Sequence, residues 1–314
     1  MRALRRVRPP SPYLALAIGV LAASTASLFI RYTQQEGVPS LTIAAIRLSL
    51  AALLLTPVAL QGYRGELRRL SLAGYSLALA SGCFLAIHFA SWITSLEHTS
   101  VLISVVLVST SPLWVALLAP LLIREAFDRR ILFGIIIAFA GGMLITLAED
   151  NSASGPQPAP LVGSVLALTG AIAVALYLIT GRRLRANLSV VAYIWLVYGT
   201  AAIVLLLAVA LTGGSLADYS PTAYFWMLML AVIPQLIGHS SFNYALGHLP
   251  AAYVSLVSLA EPAGSSVLAF IFLGEAPAVL QVVGAGLILL GVFVAQQTTA
   301  RSANPPIPPD IPVE

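Results

Sequence analysis

Lysine is absent from the 314-residue chain, cysteine occurs once, histidine four times, and charged residues make up only 9% of the sequence. An average soluble domain has about 25% charged residues, so a soluble enzyme is excluded. The single Cys83 rules out an intrachain disulfide or a cysteine metal cluster. The four histidines are scattered without metal-ligand spacing, and HExxH, GxSxG, GxSG and paired intramembrane carboxylates are all missing. Nothing therefore points to catalysis, a metal or a cofactor. All sixteen basic residues are Arg and the pI is near 9.4. They sit in short clusters between apolar runs, which encode membrane topology rather than a nucleic-acid surface.

What the chain has instead is apolar length: 59% hydrophobic residues and a mean hydropathy of +0.94. A spanning helix takes about 20 apolar residues. Stretches of that length run over 13–32, 39–60, 72–94, 100–123, 130–148, 161–180, 189–211, 222–246, 250–273 and 277–297. They lack the alternation of barrel strands, and in hydrocarbon only helices and closed barrels satisfy their backbone. The expected class is an all-α integral membrane protein with ten transmembrane helices. Fourteen Arg, from the clusters at 2–8, 64–69, 124–130 and 182–185 plus Arg301, fall on one side of these spans, and only Arg31 falls on the other. Both termini are then cytoplasmic in a cell inner (plasma) membrane, with the first span an uncleaved helix.

The halves resemble each other at an offset of 150 residues: Pro112 and Pro262, Glu125 and Glu275, Gly134 and Gly284, Gly141 and Gly291, His98 and His248. With five spans each, the halves enter from opposite sides, an inverted repeat that places a substrate site near the midplane. The expected organisation is an Arg-rich tail (1–12), a first five-helix repeat (13–148), a linker rich in turn formers (149–160), a second repeat (161–297) and a Pro-rich cytoplasmic tail (298–314).

The segments SPLWVALLAPLLIREAF (111–127) with GIIIAFAGGMLITL (134–147), and EPAGSSVLAFIFLGEAP (261–277) with GAGLILLGVFV (284–294), resemble the paired repeats of the drug/metabolite transporter superfamily, EamA type. IRLSLAALLL (46–55) is similar to that family's second helix with its intramembrane Arg, GSVLALTGAIAVALYLITGRRL (163–184) to its sixth, and YALGHLPAAYVSLVSLAEP (244–262) to its helix 8 to 9 connection. The resemblance implies ten helices in two inverted bundles, alternating access, and export of small metabolites or amino acids.

Several polar residues lie inside the spans. Arg47 is too deep to snorkel fully and costs about 2.5–3.5 kcal/mol at mid-helix; it either binds a substrate carboxylate or serves structurally. Glu261, followed by Pro262, is a proton-coupling group, a counter-ion for a substrate amine, or the partner of Arg47. Gln235, His239 and Asn243 recur at i, i+4 and i+8 as one stripe facing the bundle interior. His88 and Trp92 lie one turn apart, with Ser81 and Ser95 near that face. Tyr177, Trp195, Tyr198 and Tyr244 line a cavity or belong to the interfacial belt, and for Tyr193 and Tyr224 the belt is expected. Pro112, Pro262, Glu125 and Glu275 are kink or gate candidates, and Gly134, Gly141, Gly142, Gly284, Gly286 and Gly291 are packing seams.

The partners implied are a small-molecule substrate, membrane lipid and a proton as candidate coupling ion. The function that fits is a secondary transporter; the alternative is a channel-like facilitator or membrane scaffold. A cysteine introduced at Ser154 is expected to react with an impermeant reagent added outside whole cells, and labelling only after permeabilisation overturns the topology.

Overall fold

The computed structural model describes residues 10–98, 104, 107–125, 129–149, 159–261, 263–264, 267–268, 271 and 279–299. Pro262, Glu275, both tails beyond these bounds and most of the linker lie outside the described residues. Those described are helical, with no strand among them. The helices are α1 (Pro12–Ala23), α2 (Ala26–Gln35), α3 (Ser40–Gly62), α4 (Arg64–Arg69), α5 (Leu72–His98), α6 (Ser111–Leu122), α7 (Arg129–Glu149), α8 (Pro160–Arg185) and α9 (Val190–Leu211). They continue with α10 (Pro221–Leu230), a π-helical segment (Ala231–His239), α11 (Ser240–Leu246), α12 (Ala251–Ser258) and α13 (Val279–Thr299).

Six stretches are long and apolar enough to cross a membrane: Pro12–Gln35, Ser40–Gly62, Leu72–Ser95, Leu161–Arg185, Val190–Leu211 and Pro221–Leu246; Ser111–Leu122 and Val282–Ala295 are apolar but shorter. Hydroxyl side chains sit within these helices because each can return its proton to a carbonyl one turn back. Thr33 bonds to Phe29, Ser49 to Ala45, Thr56 to Ala52 and Thr200 to Leu196, at 2.7–2.8 Å. Helix starts are set by local chemistry: Ser189 and Ser220 accept from the amides of Ala192 and Ala223, and Pro221 occupies the first turn of α10.

The 150-residue offset is written into the element bounds. Shifting Arg129–Glu149 by 150 gives 279–299, the bounds of α13, and shifting Ser40–Gly62 gives 190–212, one residue beyond the end of α9. Turns at 109–110 and 259–260 interrupt the chain at equivalent places, each closed by the same i to i−3 bond: Thr110 N–H to Leu107 at 3.1 Å, and Ala260 N–H to Val257 at 3.0 Å. Packing obeys the same exchange. Helix α3 packs on its equivalent α9 and α7 on its equivalent α13, while α5 on α8 is matched by α10, the π segment and α11 on α1 and α2.

Glycine makes the α7–α13 seam. A Cβ on Gly134 would lie 2.5 Å from the carbonyl oxygen of Gly291, and one on Gly141 would run into that of Gly284. Since 134 pairs with 291 and 141 with 284, the two helices run antiparallel, and exchanging the halves turns each contact into the other. Gly286, expected at the seam, is not part of it: a Cβ there meets nothing within 4 Å.

Two irregularities break the symmetry. The first span is split at Ser24–Thr25, whereas its equivalent α8 is continuous; α5 is continuous, whereas its equivalent holds the π segment around Pro234. These departures meet: a Cβ on Gly238 would lie 3.0 Å from the backbone nitrogen of Ala23.

Gly134→Ala is expected to lower the melting temperature in detergent through an overpacking cost of about 1–3 kcal/mol, while Gly286→Ala leaves it unchanged. Equal melting temperatures for the two variants would refute the seam.

Candidate functional site

The side chain of Arg47, on α3, is buried and reaches the π segment, where its Nε donates to Gln235 Oε1 at 2.8 Å. Its guanidinium lies 4.6 Å from the centre of the Phe89 ring, on α5. Phe89 in turn meets the His239 ring edge-on at 5.7 Å. Positions 89 and 239 are equivalent in the repeat, so two mates touch each other and the cluster sits where the halves meet.

Arg47 Nη2, Gln235 Nε2 and Trp92 Nε1 are buried nitrogens without a hydrogen-bond partner. All three are donors, and an unpartnered buried donor costs about 1–3 kcal/mol, more when charged. Glu261 interacts with Arg47 through space without reaching ion-pair distance. Its backbone carbonyl accepts from Ser24 Oγ at 3.0 Å, which ties it to the break in the first span.

Beside this cluster runs a directed hydrogen-bond chain. Tyr177 donates to Asn243 Oδ1 at 2.8 Å, and Asn243 Nδ2 donates to Tyr198 Oη at 3.2 Å and to the His239 carbonyl at 2.9 Å. The Tyr198 hydroxyl lies 3.3 Å from Ser240 Oγ, which donates to the Gln235 carbonyl at 3.3 Å. Because Ser240 spends its proton on Gln235, Tyr198 is the donor to Ser240. The chain ends on the backbone of the residue that holds Arg47.

The structure thus brings together Arg47, Gln235, His239, Asn243 and Tyr177, with Glu261 acting on Arg47 at longer range. His88 and Trp92 stack at 5.9 Å and 13°, and His88 Nδ1 is bonded to the Gly170 carbonyl at 2.9 Å. Of the gate candidates, Pro112 is buried in the first turn of α6, and Glu125 bonds to Arg182 and to the amide of Ala251. Tyr193 corrects the belt expectation: it is fully buried and shares a 2.9 Å hydrogen bond with Ser81, on α5. Tyr224 is exposed as a belt residue would be. Sequence reasoning missed Phe89 and Ser240, and the signal for Phe89 was available in its repeat mate, His239. Among the described residues no group of three or more His, Cys, Asp or Glu could hold a metal.

The polar residues are one-sided. At the positions equivalent to Arg47, Gln235, Asn243 and His88 stand Val197, Leu85, Ile93 and Gly238. A nearly symmetric helical scaffold thus carries a cationic site on one face of the axis, the arrangement of a membrane transport protein built from two repeats.

The comparisons agree. The EamA-like transporter family matches residues 10–147 and 161–296, and the chain belongs to that family. It is 26% identical over 201 residues to the uncharacterized transporter YetK of Bacillus subtilis (strain 168), covering 63% of this chain and 60% of that protein. It is 27% identical over 275 residues to the uncharacterized transporter YxxF of the same strain, covering 87% and 86%. A probable terminal-alkyne amino-acid exporter of Streptantibioticus cattleyicolor is 27% identical over 207 residues, covering 64% of this chain and 66% of that protein. A solved crystal structure superimposes with a TM-score of 0.75 at 18% identity, over 93% of this chain and 99% of the other, a likeness of fold.

Removing Asn243 strands the Tyr177 hydroxyl and takes a donor from Tyr198. Asn243→Ala is expected to cost about 1–3 kcal/mol, read as a lower melting temperature in detergent, with a smaller loss for Tyr177→Phe. Native stability in Asn243→Ala would show that the chain is dispensable.

Proposed function

We propose that the protein is a secondary transporter of the plasma membrane that exports small carboxylate-bearing metabolites, amino acids and related amphipathic compounds among them, by alternating access between two inverted five-helix repeats. The observation that carries this reading is Arg47, a buried guanidinium with one nitrogen unpartnered, at the junction of the halves. A substrate carboxylate supplies the acceptor that Arg47 Nη2, Gln235 Nε2 and Trp92 Nε1 lack. Glu261, close enough to act on Arg47 but not paired with it, offers a place for a substrate amine and a carrier for a coupling proton. Support also comes from the relative named as a probable amino-acid exporter and from the antiparallel pairing of equivalent helices, which suits an inverted repeat. In this reading the chain has ten spans, organised as 13–148 and 161–297, with both ends cytoplasmic.

Within the site, Arg47, Gln235 and Trp92 contact substrate, and His239 and His88 border it through their aromatic neighbours. Tyr177 and Asn243 act through the hydrogen-bond chain, since their polar atoms are already spent on each other and on Tyr198.

Reconstituted protein tests this. Arg47→Ala is expected to abolish counterflow of carboxylate substrates while still inserting and folding. Arg47→Lys should retain weak, charge-dependent binding but lose the two-pronged geometry of a guanidinium. Native transport by the Ala variant would remove Arg47 from the site, and failure of both variants to fold would leave it a structural cation. If Glu261 carries the proton, Glu261→Gln should abolish the pH dependence of net transport and preserve exchange. Loss of pH dependence in His239→Gln alone would move that role to the histidine.

A further inference from the structure

The geometry points to a gate at the Arg-rich end of the bundle, formed by Glu125 and Arg182, in which the repeat equivalent of Arg182 is an aromatic residue. It rests on the reading that the two repeats rock against each other. Glu125 follows α6 in the first repeat. Its Oε1 pairs with Arg182 Nε at 3.1 Å, and its Oε2 accepts from the backbone N–H of Ala251, the first residue of α12, at 3.2 Å. Arg182, near the end of α8, also donates from Nη1 to the carbonyl of Leu246, the last residue of α11, at 2.9 Å.

One carboxylate and one guanidinium therefore tie together the ends of four helices: α6, α8, α11 and α12. Both contacts of Glu125 cross from the first repeat to the second. The side chains are only 12% and 14% exposed, so the pair is partly withdrawn from water and from screening. The partial charges at the helix ends favour the arrangement, with an anion at the start of α12 and a cation at the end of α11. If the repeats part at this end, the pair must break, so it is a latch and not a permanent strut.

The repeat shows what stands in the place of Arg182. Subtracting 150 takes Arg182 to Tyr32, on α2. Its ring packs at 4.7 Å from that of Trp226, and Phe29 stacks on the same indole at 5.6 Å. Where Arg182 bridges helix ends, its equivalent among the described residues joins a cluster of rings. Opening this end costs the Glu125–Arg182 pair, so substitutions at the latch bias the population of the two states.

Double electron–electron resonance between spin labels tests this in a Cys83→Ala background. Labels at Arg129 and His248 report on the Arg-rich end, and labels at the repeat-related positions Val279 and His98 report on the other. Glu125→Gln keeps an acceptor for Ala251 but loses the charge; it is expected to raise the long-distance population of the first pair several-fold and to shorten the second. Arg182→Gln should do the same, whereas Arg182→Lys, which keeps the ion pair, should stay near the native distribution. Unchanged distances at the Arg-rich end in both Gln variants overturn the gate and leave the rocking reading standing. Lengthening at that end with no response at the other overturns the rocking reading itself.

Discussion

A guanidinium placed inside an apolar bundle imposes conditions on everything around it. Arg47 cannot be neutralised by lipid, and its Nε needs an acceptor, which Gln235 supplies. Gln235 lies on the π segment, and its backbone carbonyl is tied through Ser240, Tyr198, Asn243 and Tyr177 in succession. Phe89 covers the flat face of the cation, and His239 supports Phe89 from the opposite repeat. The polar interior is therefore one connected object drawn from α3, α5, α8, α9, the π segment and α11. An internal polar network of this kind is tolerated in a membrane only when its members satisfy one another. Arg47 Nη2, Gln235 Nε2 and Trp92 Nε1 are the buried donors left over from it.

The glycine seam and the polar cluster divide the work. Along α7 and α13 the glycines meet backbone and aliphatic side chains, which gives a close junction with no polar chemistry of its own. Along α3, α5, α9 and the π segment the aliphatic packing is interrupted by Arg47, Phe89, Tyr198 and Gln235. The split in the first span and the π segment both occur on the second side, touching at Ala23 and Gly238. Helix irregularities there expose carbonyls and re-aim side chains, and it is the backbone beside the cationic site that departs from the repeat.

Much of this was legible in the primary structure, for identifiable reasons. The repeat could be read because Gly, Pro and Glu have backbone and end-of-helix roles that other residues fill poorly, and the bounds of α7 and α13 differ by the same 150 residues as those markers. Arg47, Gln235 and Asn243 could be read because a polar group in a long apolar run demands an internal partner. What could not be read was the partnering itself. Nothing in the spacing of Gln235, His239 and Asn243 shows that the first two lie on a π segment and the third on an α-helix. Phe89 looked like one more apolar residue until its neighbours were known, and Tyr193, four residues into α9, looked interfacial although a serine across the bundle takes its hydroxyl.

The self-pairing of α3 with α9 and of α7 with α13 carries a geometric consequence. When a two-repeat protein passes from one end state to the other by letting its halves trade conformations, a pair made of one helix and its own equivalent is carried onto itself. Its separation and crossing angle must then be the same before and after the exchange. Pairs such as α5 with α8 trade places with α11 and the π segment on α1, and are free to differ. In such an exchange each self-paired junction keeps its own internal geometry, and the change falls on pairs that are not self-paired.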